Sequence, residues 1–524
     1  MEKNHLPVGC ACCPMNRRKF LAAGTAAACA CSLGTSLGAK VARAATGDTN
    51  NKKLRVRVIY ALYGAVQPRP TWPHVGFDFR PVMQKFNHDL AKAFPSIEFV
   101  PCMADGKKDA KAILAKDKSE KVDGYIVFQM NNWPKVIRTV VAGGKPTLFV
   151  DYLYGGSGGF LARSGELIAK ETRNFGVMAS SQFEDVVRAV SCFQTCTDPN
   201  GFADAVTAVR KACTPKMSDA VCKPDAMKPL PLDEWKKQYS QSKILAFKDN
   251  KPSNHKDRDF AGIPLVYLPF SELNEAWKAA DRDQAKEIAA QWAKGADKIV
   301  DVSQAELENS AAMYLGQKAI LKKYDADAIT INCLGGFYGG HIHAYPCLGF
   351  HQLCNDGLVG ACECDIWSTA TMLAIKTLTG GRPGFISDPV LDVATREIIY
   401  AHCVASNHPF GPQGPANPYE ILTHSEDRKG AAVRSFLPKG YMTTTLKMMP
   451  EKKTILFHQA KTSGNSTEDK ACRTKLKAEV IGDFDKLFAQ WNKTNWHRVT
   501  VYGDIKDQVY GMADTLGWKV HEET

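Results

Sequence analysis

The sequence lacks several features that mark whole classes of protein. Beyond residue 45, no apolar run reaches the ~18 residues that a membrane-spanning helix needs, which argues against a membrane anchor. No basic block is present either. The first 45 residues hold six Lys/Arg and one Asp/Glu, so removing their net +5 from the overall +12 leaves +7, spread along the remaining chain. The sequence therefore gives no basis for nucleic-acid binding, and it contains no internal repeat.

Two common ligand-binding motifs are also missing. The glycine-rich segment 155–159 has neither the Lys-Ser/Thr of a P-loop nor GxGxxG spacing, so we interpret it as a flexible turn. The pair Cys362 and Cys364 has no companion pair at two-residue separation, which argues against a structural zinc site. Neither a nucleotide nor a structural zinc ion is predicted from these segments.

Residues 1–45 have the parts of a twin-arginine export signal, in the expected order. The box RRKFL lies at residues 17–21, a weakly apolar stretch rich in Ala, Gly and Ser covers 21–37, and the small-x-small cleavage site ARA lies at 42–44. We therefore predict that the twin-arginine translocase exports this chain. The mature protein would begin near Ala45 and be periplasmic or secreted.

Seventeen cysteines are present, five in the first 45 residues and twelve after them. An exported protein can keep disulfides. Cys192, Cys196, Cys213 and Cys222 lie in a region rich in Pro, Asp and Lys, where bridges are expected. Their connectivity does not follow from the sequence.

The order of apolar segments predicts an α/β fold: two doubly wound parallel-sheet domains followed by a C-terminal antiparallel β module. Residues 50–165 alternate short strand-like runs with 10–15-residue helical patterns, which is typical of a parallel sheet covered on both faces. The same alternation resumes over 166–395, with an irregular excursion predicted for 195–237 and one long helix for 272–294. Residues 396–524 alternate apolar and polar positions, which predicts the β module.

Chemically informative residues are concentrated between positions 330 and 410. A predicted strand runs into the segment from Asn332 to Gly336, which ends in two glycines, where a backbone can approach a ligand closely. Glu363 and Asp365 precede an apolar helix, so capping of that helix is a competing interpretation for both. Asp388 follows a strand-like segment, 25 residues after Glu363, and His402 ends an apolar run. Each of these signals is weak alone.

Together, three segments resemble the L-fucose isomerase and L-arabinose isomerase superfamily: CECDIWSTATMLAIKTLTGGRPGFISD (362–388), IIYAHC (398–403) and NWHRVTVYGD (495–504). The resemblance in sequence covers residues 325–405 and 420–515, while the first domain matches only in its alternation of strands and helices. It implies a divalent metal, usually Mn²⁺, held by Glu363, Asp388 and His497, with His402 as the extra ligand of arabinose-type members.

The resemblance further implies an aldose–ketose isomerase that acts through an enediol on a sugar substrate, with Glu363 and Asp388 as the acid/base pair. Such chemistry requires a proton to move between adjacent carbons and a Lewis acid on their oxygens. Two carboxylates and one or two imidazoles suit Mn²⁺. Asp365 is interpreted as a helix cap rather than a ligand.

Other residues receive roles by position. His341, His343 and His408 are predicted to bind substrate hydroxyls, with surface loop histidines as the alternative. Family members are oligomers that share sites between subunits, so a homo-oligomer is expected, and Trp72 and His74 are candidates to reach a neighbouring subunit's site.

The resemblance has departures, because the enzymes it points to are typically cytoplasmic and lack the cysteines that flank Glu363. A non-catalytic carbohydrate-binding protein on the same scaffold therefore stays open as an alternative. That alternative needs no metal and predicts that Glu363, Asp388, His402 and His497 are unrelated in space.

Overall fold

The computed structural model describes residues 53–196, 198–219, 221–251, 255–491 and 496–524. The predicted export signal, residues 1–45, lies outside the described residues. From Lys53 onward the chain packs as one compact unit built on three large sheets. None of the described helices combines the length and the apolar character that crossing a bilayer requires.

The first sheet consists of five parallel strands in the order β2-β1-β3-β4-β5. The strands are β1 (Leu54–Ala61), β2 (Ile97–Ala104), β3 (Gly124–Gln129), β4 (Thr147–Asp151) and β5 (Phe175–Met178). The helices of this part of the chain are α1 (Arg80–Ala93), α2 (Lys107–Glu120), α3 (Ile137–Val141), α4 (Ser157–Ala169), α5 (Phe183–Val190), α6 (Cys192–Thr195) and α7 (Phe202–Cys213). The sheet thus extends past the predicted boundary at residue 165, because β5 pairs with β4. The order is that of a doubly wound sheet, with its topological switch between β1 and β3.

The predicted irregular excursion over 195–237 is right only in part. Residues 214–219 and 221–231 form no helix or strand and are mostly exposed, but the segment also contains α7 and the start of α8 (Leu232–Ser240). Helix α7 forms because Phe202, Val206 and Arg210, spaced four residues apart, are all buried on one face. Phe202 packs against Phe193, with ring centroids 4.9 Å apart.

The second sheet has the order β11-β10-β6-β8-β7 and is parallel except for its edge strand β7. Its strands are β6 (Ile244–Phe247), β7 (Arg258–Phe260), β8 (Ile263–Leu268), β10 (Ala328–Ile331) and β11 (Val359–Cys362). Its helices after α8 are α9 (Phe270–Ala279), α10 (Arg282–Gly295), α11 (Gln304–Tyr324), α12 (Cys333–Tyr338), α13 (Cys347–Asn355) and α14 (Ile366–Leu378). A small additional sheet of three strands joins β9 (Lys298–Val300) to β14 (Tyr419–Leu422) and β15 (Ala432–Ser435).

The single helix predicted over 272–294 is wrong, because the chain breaks between α9 and α10. The side chain of Asp281 accepts hydrogen bonds from the backbone amides of Asp283 and Gln284 and so caps a new helix. This is the ordinary role of an aspartate at a helix N-terminus.

The C-terminal module is a seven-stranded sheet in the order β16-β19-β12-β13-β18-β17-β20. Its strands are β12 (Phe385–Asp392), β13 (Glu397–His402), β16 (Met442–Met449), β17 (Thr454–Asn465), β18 (Thr474–Val480), β19 (Arg498–Tyr502) and β20 (Lys519–Glu522), accompanied by α15 (Phe484–Gln490) and α16 (Lys506–Leu516). Strands β16 and β17 also pair with each other, which closes six of the strands into a barrel. All pairs in the module are antiparallel except β17–β20.

The predicted fold class is therefore confirmed: two parallel α/β parts precede a mainly antiparallel β module. One boundary differs from the prediction. Strand β12 pairs with β13 and β19, so Asp388 belongs to the barrel and not to the second α/β domain.

Candidate metal centre

One cavity of about 880 Å³ lies where the three large sheets meet. The first sheet contributes Trp72, which follows β1, and Asn132, which follows β3. The second sheet contributes Leu334, which follows β10, and Glu363, which follows β11. Open α/β sheets bind ligands beyond the carboxyl ends of their strands, at the switch point. Both parallel sheets here present that edge to the same space.

Glu363 reaches the cavity because the chain turns sharply at the end of β11. Glu363 has a φ of 63° and Cys364 a φ of 50°, two successive non-glycine residues in the left-handed region. That conformation costs on the order of 1–3 kcal/mol at each residue and is concentrated at functional sites. The helix α14 begins directly after this turn, and Asp365 caps it by accepting from the Ser368 amide.

Asp388 and His402 come from the β12–β13 hairpin, whose register places Asp388 opposite Ala401, next to His402. His402 Nε2 lies 3.8 Å from Asp388 Oδ2 and 3.8 Å from Glu363 Oε1. The side chains of Asp388 and His402 are largely excluded from solvent. The hairpin therefore delivers one acid and one imidazole to the turn that carries Glu363.

His497 directly precedes β19 and completes the cluster. Its Nε2 lies 3.0 Å from Asp388 Oδ1 and 3.6 Å from Glu363 Oε2. One donor atom each from Glu363, His402 and His497 lie within 4.8 Å of one another, an arrangement that can hold a metal ion. Asp388 borders this triad. The structure thus brings together all four residues predicted as metal ligands.

Hydrogen bonds to Nδ1 orient the rings of His497 and His402 in this cluster. His497 Nδ1 lies 3.0 Å from Asp365 Oδ2, and the same carboxylate oxygen accepts from Lys447 Nζ at 2.9 Å. A carboxylate on one ring nitrogen holds the tautomer that leaves the other nitrogen available to a metal. His402 Nδ1 accepts a hydrogen bond from the Cys403 amide at 3.1 Å and lies 3.2 Å from Cys362 Sγ, while its Nε2 is the nitrogen that lies 3.8 Å from each carboxylate.

The residues present fit a divalent cation. His497 Nε2 is buried and, although it lies 3.0 Å from Asp388 Oδ1, it makes no hydrogen bond of acceptable geometry. A buried ring nitrogen without a hydrogen-bond partner, beside two carboxylates, is a typical position for a metal ligand. Oxygen and imidazole donors together suit borderline first-row ions.

Burial and mutual charge separate the proton affinities of the two carboxylates. Burial raises the pKa of Glu363 to about 8, and Asp388 and Glu426 add to this rise although His497 opposes it. Burial also acts to raise the pKa of Asp388, but His497, His402 and the indole of Trp496 outweigh it, so that this pKa is lowered. The two carboxyl groups therefore differ in proton affinity, and Glu363 is the weaker acid.

The imidazoles differ in the same way. Burial disfavours charge on His497, yet the carboxylates of Asp388, Asp365 and Glu363 raise its pKa to about 10. Burial lowers the pKa of His402, because the nearby acids compensate less. Without a bound cation, the surrounding carboxylates therefore favour protonation of His497 far more than of His402, and a bound cation would displace that proton.

The three histidines predicted to bind substrate do not line this cavity. His341 is exposed and stacks on Phe270, with ring centroids 6.4 Å apart. His343 lies against Trp277, and His408 Nδ1 lies 3.2 Å from the carbonyl oxygen of Gly414. Their placement corrects the prediction, because nearness in sequence to Glu363 does not put these loops at the cavity wall.

Trp72 and His74 were candidates for a neighbouring subunit's site. Trp72 instead lines the cavity of its own chain. His74 does not line it and contacts Phe77 edge to face. The loop after β1 thus serves the site of the same chain.

Sequence reasoning missed several cavity residues. Glu426 lines the wall and accepts a hydrogen bond from Tyr338 at 2.7 Å, and Arg258 lines another part. These residues lie on loops or an edge strand with no motif around them, so no sequence signal pointed to them. The aromatic residues of the wall were missed as well: Trp133 and Phe260 lie outside the quoted segments, and Trp367 and Trp496 lie inside them but received no role.

The expected disulfides are not formed. All twelve cysteines in the described part of the chain are free, including Cys192, Cys196, Cys213 and Cys222. Cys192 is buried and begins α6, Cys196 follows that helix, and Cys213 ends α7.

The fold and the site together define an α/β protein with a candidate metal centre at a barrel end. No family model matches this chain. It is 22% identical over 262 residues to a sulfoquinovose isomerase from Priestia aryabhattai, covering 48% of this chain and 56% of that protein. It is 24% identical over 269 residues to a sulfoquinovose isomerase from Clostridium sp. (strain MSTE9), covering 49% and 57%.

The chain thus spans a little over half the length of the curated relatives it matches, and the similarity is weak. A crystal structure of the transcription regulator CcpA of Lactococcus lactis covers 62% of this chain and 92% of its own at 11% identity, with a TM-score of 0.17. At that score the likeness carries no argument. Membership of the L-fucose and L-arabinose isomerase superfamily stays a prediction.

Proposed function

We propose that this protein is a divalent-metal-dependent isomerase that interconverts an aldose and a ketose through an enediol. The observation that carries the proposal is the convergence of donor atoms from Glu363, His402 and His497 within 4.8 Å, bordered by Asp388. The weak similarity to sulfoquinovose isomerases supports the same reaction class. A non-catalytic sugar-binding protein would not need this cluster, so that alternative is not favoured.

When bound, the cation would polarise the substrate's carbonyl oxygen and the neighbouring hydroxyl oxygen. This would acidify the hydrogen on the carbon next to the carbonyl. Glu363, His402 and His497 would hold it, with Asp388 as the fourth predicted ligand. Mn²⁺ is our proposed ion, because mixed carboxylate and imidazole donors suit it.

Glu363 and Asp388 are the proposed acid/base pair. Proton transfer between adjacent carbons needs one group that accepts a proton and one that donates it, and each works best when its pKa lies near the working pH. The raised pKa of Glu363 and the lowered pKa of Asp388 give one carboxyl of each kind. His497 lies within 3.6 Å of both and would keep the ionised partner in place.

The cavity wall suits a sugar. Aromatic side chains can stack on the apolar faces of a sugar ring, and Asn132, Glu426 and Tyr338 offer polar groups for hydroxyls. We further propose that the protein acts as a homo-oligomer in the periplasm or outside the cell, after twin-arginine export.

The test is metal analysis combined with turnover. Purified protein, dialysed against Mn²⁺ and then against buffer, should retain about one ion per chain, and Glu363→Gln should lose it. Glu272→Gln is the matched control, because Glu272 pairs with Lys323 at 2.6 Å and does not line the cavity. Ketose formation from a panel of free aldoses that includes sulfoquinovose should require the ion.

Two outcomes would overturn the proposal. Equal metal content in wild type and Glu363→Gln would show that the cluster is not the site. Metal-free protein that binds sugars and turns none over would support the carbohydrate-binding alternative.

A further inference from the structure

Arg258 differs from the other charged residues of the cavity wall. Four acidic residues line the cavity: Glu363, Asp365, Asp388 and Glu426. Arg258 is the only Lys or Arg side chain on the described wall. His497 is enclosed by carboxylates, with Asp365 and Asp388 each 3.0 Å away. Arg258 forms no ion pair with any carboxylate in the described part of the chain.

The guanidinium of Arg258 is held by packing. Arg258 lies on β7, the edge strand of the second sheet, and its side chain lies over the ring of Phe260, 5.0 Å from the centroid. Phe260 is itself buried and lines the cavity. Stacking on an aromatic face orients the planar guanidinium, and a hydrogen bond to the Tyr267 hydroxyl uses only part of its five N–H donors.

This charge distribution constrains the substrate. A substrate carrying a negative group would be repelled by the carboxylates around Glu363 and attracted by Arg258, since like charges close together cost several kcal/mol. Arginine also matches tetrahedral or planar oxyanions, which it can bind with two parallel hydrogen bonds.

We propose that the substrate is an anionic sugar and that Arg258 binds its negative group, which directs the carbonyl end to the metal centre. The direction of the carbonyl end toward a metal centre rests on the proposed function, whereas the binding of a negative group by Arg258 does not. The shared ligand chemistry is a sulfonate, phosphate or carboxylate attached to a sugar. Sulfoquinovose, the sugar in the names of the two relatives, is a sulfonated sugar of this kind.

The test compares anionic sugars with a neutral one on metal-loaded full-length protein. Dissociation constants are measured by calorimetry for sulfoquinovose, glucose 6-phosphate, glucuronate and glucose, so that the result does not depend on turnover. The proposal expects at least one anionic sugar to bind more tightly than glucose, with an affinity that falls as salt rises.

Arg258→Gln should raise the ratio of the anionic to the neutral dissociation constant by about 10- to 100-fold, as expected for loss of a charged hydrogen-bond pair. It should also abolish the salt dependence. Arg258→Lys should restore part of the preference, because charge returns without the bidentate geometry. Lys256→Gln is the matched control: Lys256 is exposed, is two residues away and does not line the cavity.

The outcomes separate the two proposals. Arg258-dependent binding of an anionic sugar without ketose formation would support this inference and contradict the proposed isomerase. Ketose formation with no preference for anionic sugars would support the proposed isomerase and contradict the role of Arg258. An anionic preference that survives in Arg258→Gln, or that is absent from wild type, would overturn the role of Arg258.

Discussion

Asp365 Oδ2 lies 3.0 Å from His497 Nδ1, and the same carboxylate caps α14. One side chain therefore connects the start of a helix to a candidate metal ligand. The buried Lys447 ammonium, 2.9 Å away, holds the pKa of Asp365 well below its usual range although burial acts to raise it. Asp365 is thus a charged positioning residue, in addition to the cap that the sequence predicted.

Replacement of Asp365 by Asn should weaken Mn²⁺ binding by about 10- to 100-fold, the usual effect of removing a carboxylate behind a metal-bound histidine. Asparagine also caps helices, so α14 should persist. Metal titration with calorimetry measures the affinity, and the free energy of unfolding is measured in parallel. Because Asn leaves Lys447 unpaired in the interior, the double variant Asp365→Asn/Lys447→Met separates the effects. Recovery of metal affinity in the double variant would contradict the role given to Asp365.

Glu523 lies inside the barrel module between Arg498 and His458, and all three side chains are fully buried. Burial acts to raise its pKa, but Arg498 and His458 outweigh it and lower the pKa to about 2. Glu523→Gln should lower the free energy of unfolding at pH 7 by about 3–5 kcal/mol, because it removes the charge that compensates a buried guanidinium. Urea denaturation measures this.

The exposed neighbour Glu522 pairs with Lys506 at 3.0 Å and provides the control. Glu522→Gln should change stability by less than about 1 kcal/mol. The folded-state pKa of Glu523 is depressed, so its contribution is present above the unfolded pKa and is lost as pH falls toward 2. Equal effects of the two variants would show that burial of the Glu523 pair is unimportant.

Asp151 ends β4 and its Oδ2 accepts from Ser157 Oγ at 2.6 Å, while Oδ1 is buried without a partner. Burial raises the pKa of Asp151 to about 8. A raised folded-state pKa gives a contribution that is complete below the unfolded pKa and is lost as pH rises through 8. Wild-type stability should therefore fall by up to about 1.4 kcal/mol per pH unit between pH 5 and 8 from this group alone.

Asp151→Asn should remove that slope, because asparagine stays neutral. The measurement is the difference in free energy of unfolding between variant and wild type at pH 5, 7 and 9. Asp204→Asn, on an exposed residue, serves as the control for added amides. A difference that does not change with pH would mean that Asp151 is ionised throughout.

The cysteines give a direct chemical test of the fold. Purified residues 53–524, denatured without reductant, should titrate with about twelve thiols, because each of the twelve cysteines is free. Pairing of Cys192 with Cys196, or of Cys213 with Cys222, would remove two thiols per bridge. A count of ten or eight would restore the disulfide interpretation that the sequence favoured.

Much of the fold follows from local patterns. The strand Arg498–Tyr502 and the helix Lys506–Leu516 are examples, because each is an uninterrupted run of one periodicity. The helix break at Asp281 was overlooked, although an aspartate followed by a polar turn was visible in the sequence. The closure of the barrel was not predictable, since the pairing of β16 with β19 depends on contacts between distant segments.

The site divides in the same way. Glu363, Asp388, His402 and His497 lie together as the resemblance implied, while their roles stay predictions. The cavity wall was largely missed: Arg258 and Glu426 reach it only because two sheet edges and a barrel end meet there. Such convergence is a property of tertiary packing and leaves no mark on short segments of sequence.

The two α/β sheets supply most of the cavity wall, whereas the barrel module supplies Asp388 and His497. Loops beyond strand ends tolerate exchange far better than the strands themselves. The shape of the cavity can therefore change through the α/β loops while the barrel module, with Asp388, His402 and His497, stays intact.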